Sequence, residues 1–284
     1  MTLTITRTLT PVSEQIDAVR QGLIAHNHTQ VPALANQPKQ SFNVVLREDD
    51  EIVAGAVCEL KWDYLYVDTL WTDERVRGLG YGSRVMHAAE HFALEHGIHR
   101  AYLMTTSFQA RPFYEKLGYR AGTEQIDRPR QHTLYVMIKD DIIALDTDKA
   151  AVIESPPIDA STQHLEQGLL ADIAKTVPIG FDTVAVLLQD SDNTVVGGMV
   201  GSFYWDWLDL HCAWVAPAYQ RAGWGSKLLA NITDLARERD AVGIVTDRAD
   251  FQTPDFFAQH GYTSLVTLAE NPKGHMRTFV ELRF

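Results

Sequence analysis

Two short glycine-rich segments carry the clearest chemical signal in the sequence. Residues 77–83 read Arg-Gly-Leu-Gly-Tyr-Gly-Ser, and residues 220–226 read Gln-Arg-Ala-Gly-Trp-Gly-Ser. Because glycine has no Cβ, a glycine-rich backbone can close on a ligand, and amides at the start of a helix attract anions. Each segment therefore predicts a loop that binds a pyrophosphate through its backbone.

Two common phosphate loops do not fit this spacing. The dinucleotide-binding pattern needs a third glycine where Ser83 stands, and no Gly-Lys-Ser or Gly-Lys-Thr follows either loop. A tight turn with a purely structural role remains the alternative.

Both loops belong to an internal duplication. A shift of 143 residues, which carries Gly80 onto Gly223, needs no gap between Asp49 and Tyr119. It also aligns rare residues: Trp62 with Trp205, Trp71 with Trp214, Phe108 with Phe251 and Gly118 with Gly261. Repeats of this length match ordinary domains. We therefore expect two domains, residues 1–145 and 146–284.

Hydrophobic patterning places each loop between a strand and a helix. In the first repeat, a hairpin with strands at 43–47 and 52–60 precedes a third strand at 64–71, which leads into the loop. The loop opens a helix whose apolar residues fall on one face. A strand at 100–106, a short helix at 111–117 and a closing strand at 133–138 follow.

The start of the chain shows the same duplication with a different shift. A strand at 3–7 precedes an amphipathic segment at 16–24. The end of that segment, Gln-Gly-Leu-Ile-Ala at 21–25, recurs as Gln-Gly-Leu-Leu-Ala at 167–171, a shift of 146 that carries Gly22 onto Gly168. The join between the repeats falls within 140–157.

The chain resembles the GNAT superfamily of acetyl-CoA-dependent N-acetyltransferases. The resemblance rests on Arg77-x-x-Gly80-x-Gly82 and on Phe-Tyr-Glu-Lys-Leu-Gly-Tyr at 113–119, which follows at the right separation. The second repeat matches less closely, at 220–225 and 256–262. The resemblance implies an α/β (α+β) fold of two tandem GNAT-type domains, each a mixed, mostly antiparallel, splayed sheet flanked by helices.

The same resemblance implies roles for individual residues. Tyr114 matches the general acid, whose phenol keeps its proton at neutral pH; its alternative role is a half-buried core aromatic. Asp68 is the expected base and Glu59 a second candidate, although Asp68 could equally be a solvated structural carboxylate. The residues expected to bind acetyl-CoA are Leu70, Trp71, Thr72, Arg77, Gly78, Leu79, Gly80, Tyr81, Gly82, Ser83 and Ser107, and, in the second repeat, Gln220, Arg221, Ala222, Gly223, Trp224, Gly225 and Ser226.

The second repeat lacks part of this chemistry. The shift of 143 carries Tyr114 onto Phe257, which cannot donate a proton, and Asp68 onto His211. Asp209 stands where the first repeat has Tyr66. We therefore expect the first repeat to be the catalyst and the second to be a degenerate or secondary site.

Composition limits the class of partner. The chain has 284 residues and a formal net charge of −12, which disfavours duplex nucleic acid and suits a cationic small molecule. No apolar run is long enough to span a bilayer and no signal peptide is evident, so we expect a cytoplasmic monomer or homodimer that does not bind membranes. Cys58 and Cys212 are expected to be free thiols.

One apparent metal motif has a simpler interpretation. His-Ala-Ala-Glu-His at 87–91 fits H-x-x-E-H, but helical spacing predicts that its polar residues form a solvated face, so no metal is expected.

Two functions remain open on the sequence alone. One is an enzyme that transfers an acetyl group from acetyl-CoA to a primary amine of a small molecule by direct attack in a ternary complex. The other is a non-catalytic acyl-CoA-binding or regulatory protein with two CoA sites. The resemblance implies that segments 25–42 and 172–183 select the acceptor, and they carry no pattern that identifies it.

Overall fold

The computed structural model of the chain describes residues 3–37, 39–144, 150–252 and 255–284. The described residues form two seven-stranded sheets with helices against their faces. The elements are β1 Thr4–Thr8, α1 Ser13–Gln30, β2 Gln40–Glu48, β3 Glu51–Lys61, β4 Tyr64–Thr72, α2 Tyr81–Glu95, β5 Ala101–Thr106, α3 Arg111–Lys116, β6 Arg120–Ile126, β7 Thr133–Lys139, β8 Val152–Glu154, α4 Asp159–Ala174, β9 Phe181–Gln189, β10 Val195–Tyr204, β11 Trp207–Val215, α5 Trp224–Glu238, β12 Gly243–Ala249, α6 Phe256–Gln259, β13 Thr263–Ala269 and β14 Met276–Arg283, with short 3-10 helices at Pro32–Asn36, Glu74–Val76 and Pro217–Tyr219.

Both sheets are mixed and mostly antiparallel, which confirms the predicted fold class. The first has the order β6-β7-β5-β4-β3-β2-β8 and the second β1-β9-β10-β11-β12-β14-β13. In each sheet a single described pair is parallel, β4 with β5 and β11 with β12. Among the described residues, no helix has both the length and the apolar character needed to cross a membrane.

The two repeats exchange their first strand and helix. Strand β1 pairs with β9 of the second repeat, whereas β8 pairs with β2 of the first. Helix α1 likewise packs on β10 and β11, and α4 packs on β2, β3 and β4. The sheets therefore do not coincide with the sequence halves 1–145 and 146–284, and the predicted boundary itself falls in 145–149, outside the described residues.

Apolar side chains on the exchanged helices explain why they stay in place. Leu165 of α4 is fully buried against Val45 and Ile52 of the first sheet. Val19 of α1, its counterpart under the shift of 146, is fully buried against Leu187 of the second. Each helix thus covers an apolar face of the sheet that belongs mainly to the other repeat.

A tryptophan and a glycine bring each exchanged helix close to its sheet. A Cβ built on Gly168 would lie 2.6 Å from the indole of Trp71, and one built on Gly22 would lie 2.3 Å from that of Trp214. No side chain larger than hydrogen fits there without movement. The glycine and tryptophan that recur in the sequence are therefore the two sides of one packing contact.

Paired polar contacts also join the two repeats. The backbone N–H of Arg130 donates to Asp206 at 2.9 Å, and the backbone N–H of Lys273 donates to Asp63 at 2.8 Å. The shift of 143 relates the two donors to each other and the two acceptors to each other, so these contacts are equivalent under the pseudo-twofold relation between the repeats. They give the aspartates of the repeated Trp-Asp pairs a role at the interface between the repeats.

The expectation for the H-x-x-E-H segment was wrong for Glu90. This side chain is 1% exposed, and its carboxylate accepts a hydrogen bond of 2.8 Å from the Lys139 ammonium on β7. Pairing with a partner that is distant in sequence allows the charge to be buried, and helical spacing alone does not reveal such a partner.

The exchange predicts where a destabilising substitution acts. Leu165→Ala should lower the free energy of unfolding by about 2–5 kcal/mol, because it leaves a cavity under β2 and β3. Hydrogen exchange should accelerate in strands 40–61 of the first repeat, although the substitution lies in the second. Urea titration and exchange measured by mass spectrometry test this. Gln167→Ala, at an exposed position of the same helix, should change stability by less than about 0.5 kcal/mol. Faster hydrogen exchange in strands 181–204 instead would contradict the exchange of helices between the repeats.

Candidate functional site

The first cleft forms where β4 and β5 part. Their parallel pairing covers Leu65↔Ala101, Tyr66↔Tyr102 and Val67↔Leu103. Among the described residues, no pair joins the strands beyond Val67, although β4 continues to Thr72 and β5 to Thr106. The edge of β4 at 68–72 therefore has backbone groups free to pair with an extended ligand.

A bulge in β4 turns the side chains on either side of the parting. Val57 lies opposite Thr69 and Cys58 opposite Val67, so Asp68 is the extra residue. Val67 and Leu70 can then both face the core that α2 covers, while Trp71 faces α4. The second repeat has the same bulge, with His211 as the extra residue.

The glycine loop follows β4 and starts α2. Gly80 is the N-cap residue with φ of 86°, a conformation that side-chain-bearing residues adopt at a cost, and no side chain caps the helix. The first-turn amides of Tyr81, Gly82 and Ser83 are consequently open to an anion. Gly223 repeats this geometry with φ of 80°.

Gly82 and its counterpart Gly225 have a different role from the one that their positions in the sequence suggest. A Cβ on Gly82 would lie 3.2 Å from the ring of Phe113, and a Cβ on Gly225 would lie 3.3 Å from the ring of Phe256. These glycines allow the helix start to pack against the aromatic residue of the downstream motif.

Arg77 and Gln220 hold each glycine loop against the strand that precedes it and do not extend across the loop. Arg77 Nε donates to the carbonyl of Thr72 at 2.9 Å, and Gln220 Nε2 donates to the equivalent carbonyl, that of Val215, at 2.8 Å. The guanidinium of Arg77 also forms an ion pair with Asp172 at the end of α4. The variation from Arg to Gln thus preserves the contact that clamps each loop to the preceding strand.

Asp68 lies in the cleft with an exposed side chain and a tyrosine partner. The Tyr66 hydroxyl donates to Asp68 Oδ1 at 3.0 Å. Surrounding protein desolvates the carboxylate and raises the pKa of Asp68, while the hydrogen bond from Tyr66 works in the opposite direction. Glu59 on β3 stands opposite Tyr66 and is held in an ion pair with Lys39. Of the two candidate bases, Asp68 has no salt bridge among the described residues.

Tyr114 on α3 is 8% exposed and belongs to the core below the cleft. Its ring contacts Tyr119 with a centroid distance of 6.0 Å, and Cys58 lies in the same cluster. Burial raises the pKa of Tyr114, and the nearby Cys58 adds to the effect. The phenol therefore stays protonated across the neutral range.

The remaining predicted binding residues lie around the same cleft. Thr72 ends β4, and Tyr81 at the start of α2 donates its hydroxyl to Glu48. Ser107 follows β5, where its hydroxyl accepts a 3.2 Å hydrogen bond from the backbone of Thr133. These residues therefore lie at the ends of β4 and β5 and at the start of α2, beyond the point where the two strands part.

The second cleft keeps the backbone and changes the side chains. Its strands part after Asp209↔Val245, but the Thr246 hydroxyl donates to the Leu210 carbonyl at 2.8 Å and occupies one acceptor on β11. Asp209 forms an ion pair with Arg128, which comes from the first repeat and is nearly buried. Desolvation is the largest effect on His211 and lowers its pKa.

Phe257 occupies the place of Tyr114 in the second repeat. It is buried and contacts Tyr262 at 5.1 Å, as Tyr114 contacts Tyr119. In the second loop, the Ser226 hydroxyl lies 3.0 Å from His260 Nε2, so part of the loop is already engaged.

The position of α4 over β4 is the part of the site that sequence reasoning missed. His164 meets the Trp71 ring edge-on at 5.2 Å, and Asp172 reaches Arg77. The sequence did hold a signal for this contact, because Gly22 recurs as Gly168 and Trp71 recurs as Trp214. The recurrence indicates that a glycine packs on a tryptophan, but it does not show whether the two residues belong to the same repeat.

Comparisons with known proteins agree with the resemblance that the sequence motifs show. The Acetyltransferase (GNAT) family profile matches residues 13–119 and 163–262. Blasticidin-S acetyltransferase of Streptomyces morookaense is 37% identical over 94 residues, which cover 33% of this chain and 69% of the relative. The acetyltransferase Atu2258 of Agrobacterium fabrum is 31% identical over 108 residues, 38% of this chain and 77% of the relative.

A solved acetyltransferase structure from Bacillus cereus has 24% sequence identity and a TM-score of 0.43, and covers 45% of this chain and 94% of its own. The family profile matches each repeat separately and together covers more than half of the chain. This protein is therefore an acyltransferase that belongs to the GNAT acetyltransferase family in both of its repeats.

Proposed function

We propose that the first repeat transfers an acetyl group from acetyl-CoA to a primary amine of a small molecule. The observation that carries this proposal is the parting of β4 and β5 directly before a loop whose first-turn amides are uncapped. An extended thioester arm and a pyrophosphate need these two features side by side.

The residues present fit acetyl-CoA. Amides at 80–83 would bind its pyrophosphate, and the free edge of Leu70 to Thr72 would pair with its pantetheine arm and offer an N–H to the thioester oxygen. Bound acetyl-CoA supplies the acetyl thioester that the amine attacks.

Two side chains would move protons in this reaction. Asp68, directly or through a water molecule, would accept the proton of the attacking amine, because its carboxylate is accessible and its pKa is raised toward that of a useful base. Tyr114 would give its proton to the departing thiolate, which requires a phenol that is protonated at neutral pH. Glu59 is the less favoured base, because Lys39 already holds it.

Acceptors should be found by a screen for release of the CoA thiol. Blasticidin S is a suitable first compound, because a relative is named for acetylating it. The net charge of −12 favours other cationic amines as further members of the screen. A non-catalytic CoA-binding protein would bind acetyl-CoA and release no thiol with any amine.

Removal of the phenol should slow chemistry rather than binding. Tyr114→Phe should lower turnover of an accepted amine about tenfold or more, equivalent to about 1.4 kcal/mol of barrier, with acetyl-CoA affinity nearly unchanged. Steady-state kinetics and calorimetric titration measure the two quantities. Phe257→Tyr, the reverse change in the second repeat, should leave turnover in the first cleft unchanged. An unaltered rate in Tyr114→Phe would remove this residue from the mechanism.

The raised pKa of Asp68 predicts an acidic limb in the pH profile of kcat/KM. Activity should fall as pH drops through that pKa, because the protonated carboxyl cannot accept a proton. Tyr66→Phe removes the hydrogen bond that stabilises the carboxylate, so the limb should move to higher pH. Asp68→Asn should abolish most activity together with this limb. If the acidic limb stays at the same pH in both Tyr66→Phe and Asp68→Asn, the limb belongs to another titrating group.

The two loops should differ in affinity for acetyl-CoA. In calorimetric titration, one strong site is expected, because Ser226 of the second loop is already engaged by His260. Gly80→Ala should abolish the strong site and Gly223→Ala should leave it, since each substitution forces a side chain into a positive-φ position of one loop only. Two equivalent strong sites would refute this asymmetry.

A further inference from the structure

A buried arginine of the second repeat reaches the strands that form the first cleft. Arg277 lies on β14, and its side chain is 10% exposed. Its Nε and Nη2 atoms donate to the two carboxylate oxygens of Asp247 at 2.6 and 2.9 Å. Its Nη1 atom donates to the Tyr102 hydroxyl at 3.0 Å. The guanidinium therefore joins a carboxylate of the second repeat to a tyrosine of the first.

Tyr102 is in direct contact with the tyrosine that binds Asp68. Tyr66 and Tyr102 are register partners on β4 and β5, one residue before the last described pair of these parallel strands. Their rings stack with a centroid distance of 4.8 Å and an interplanar angle of 24°. The Tyr66 hydroxyl donates to Asp68 Oδ1 at 3.0 Å. A continuous chain of contacts thus runs from the Arg277–Asp247 pair through both tyrosines to the cleft carboxylate.

The surroundings of Arg277 favour a fixed position for Tyr102. The guanidinium lies over the rings of Trp62, Tyr102 and Phe279 at centroid distances of 5.1 to 5.7 Å. A charge buried among aromatic rings is costly unless its donors have partners. Movement of Tyr102 away from Arg277 would leave Nη1 without this acceptor, so the hydrogen bond holds the ring in place.

The second cleft has no equivalent of this ion pair. The shift of 143 carries Met104 onto Asp247 and Leu134 onto Arg277. The pair is therefore present on one side of the pseudo-twofold relation, and its hydrogen bond to a tyrosine is directed to the cleft that contains Asp68.

We propose that Arg277 is a positioning residue for the first cleft. By fixing the Tyr102 hydroxyl, it holds the stacked ring of Tyr66 and so keeps the Tyr66 hydroxyl on the cleft carboxylate. The inference rests on the proposed function in one respect, the assignment of Asp68 as the base. The geometry of that base then depends on an ion pair that the second repeat supplies.

Tyr102→Phe tests the link without breaking the ion pair. It removes the hydroxyl that Arg277 holds and leaves Arg277 paired with Asp247. The Asp68 carboxylate should lose hydrogen-bond stabilisation, so the midpoint of its titration should move about 0.3–1 pH unit higher. Carbon NMR of the full-length protein with labelled aspartate side chains measures this titration without turnover, and Asp68→Asn identifies the resonance. The acidic limb of kcat/KM should move in the same direction.

A double variant removes the ion pair without leaving a buried charge. Asp247→Met with Arg277→Leu introduces the residues that the first repeat has at the equivalent positions. Replacement of a buried ion pair by apolar residues is often neutral for stability, so this variant should fold. It should move the Asp68 titration as Tyr102→Phe does. In the Tyr66→Phe background it should cause no further movement, because the hydroxyl that binds Asp68 is already absent.

Tyr64→Phe is the matched control. Tyr64 is a buried tyrosine of the same cluster, and its ring meets that of Tyr102 edge-on at 6.0 Å. Its hydroxyl donates to the Ala269 carbonyl of the second repeat at 3.0 Å, so it makes an interface contact outside the chain that leads to Asp68. Its loss should leave the Asp68 titration unchanged. The other titratable groups whose charges interact with Asp68, all retained in these variants, are Lys39, Cys58, Glu59, Glu166 and Tyr204.

An unchanged Asp68 titration in either Tyr102→Phe or the double variant would overturn the inference. So would a further shift of the double variant in the Tyr66→Phe background, or an equal shift in Tyr64→Phe. Failure of the proposed function has a different signature: the NMR titration moves as expected, but the acidic limb of kcat/KM stays in place or no amine releases thiol from acetyl-CoA.

Discussion

The packing of each exchanged helix on the sheet of the other repeat is the contact on which both clefts depend. Leu165 of α4 and Val19 of α1 are fully buried against the sheet of the other repeat. Without α4, the first sheet would expose the apolar face around Val45, and Trp71 would lose its cover. The two repeats therefore form one structural unit, and the first cleft needs residues from both.

Duplication has kept the backbone of the cleft and changed its chemistry. The bulge, the parting of the strands and the left-handed glycine before the helix occur twice. These features depend on the hydrogen-bond register of the strands and on glycine at a positive φ, so few substitutions are tolerated at these positions. By contrast, the replacement of Tyr114 by Phe257 leaves ring packing intact and removes only the hydroxyl group. The proposed proton donor can therefore be lost without a change in the fold around it.

The sequence predicts the local elements and the loops well, because hydrophobic spacing and turn residues act over a few residues. Strands at 43–47 and 64–71 and the short helix at 111–117 lie within or beside β2, β4 and α3. It does not predict the exchange, since β1 and β8 meet equivalent edges in two similar sheets, and local pattern does not distinguish them. Burial of Glu90 depends on Lys139, and the cover over β4 depends on α4, so neither is visible locally.

Carboxylates in the second cleft have structural partners that account for their presence in a repeat that has Phe257 in place of Tyr114. Asp209 neutralises the nearly buried Arg128 of the first repeat, and Asp247 accepts two hydrogen bonds, of 2.6 and 2.9 Å, from Arg277. Arg277 also donates to the Tyr102 hydroxyl at 3.0 Å, and Tyr102 stacks on Tyr66, the partner of Asp68. Loss of either carboxylate would leave an arginine charge unpaired at the interface, which is more costly than losing the pair. These acidic residues of the second repeat therefore neutralise arginines at the interface, and Arg277 links Asp247 to the tyrosines beside Asp68.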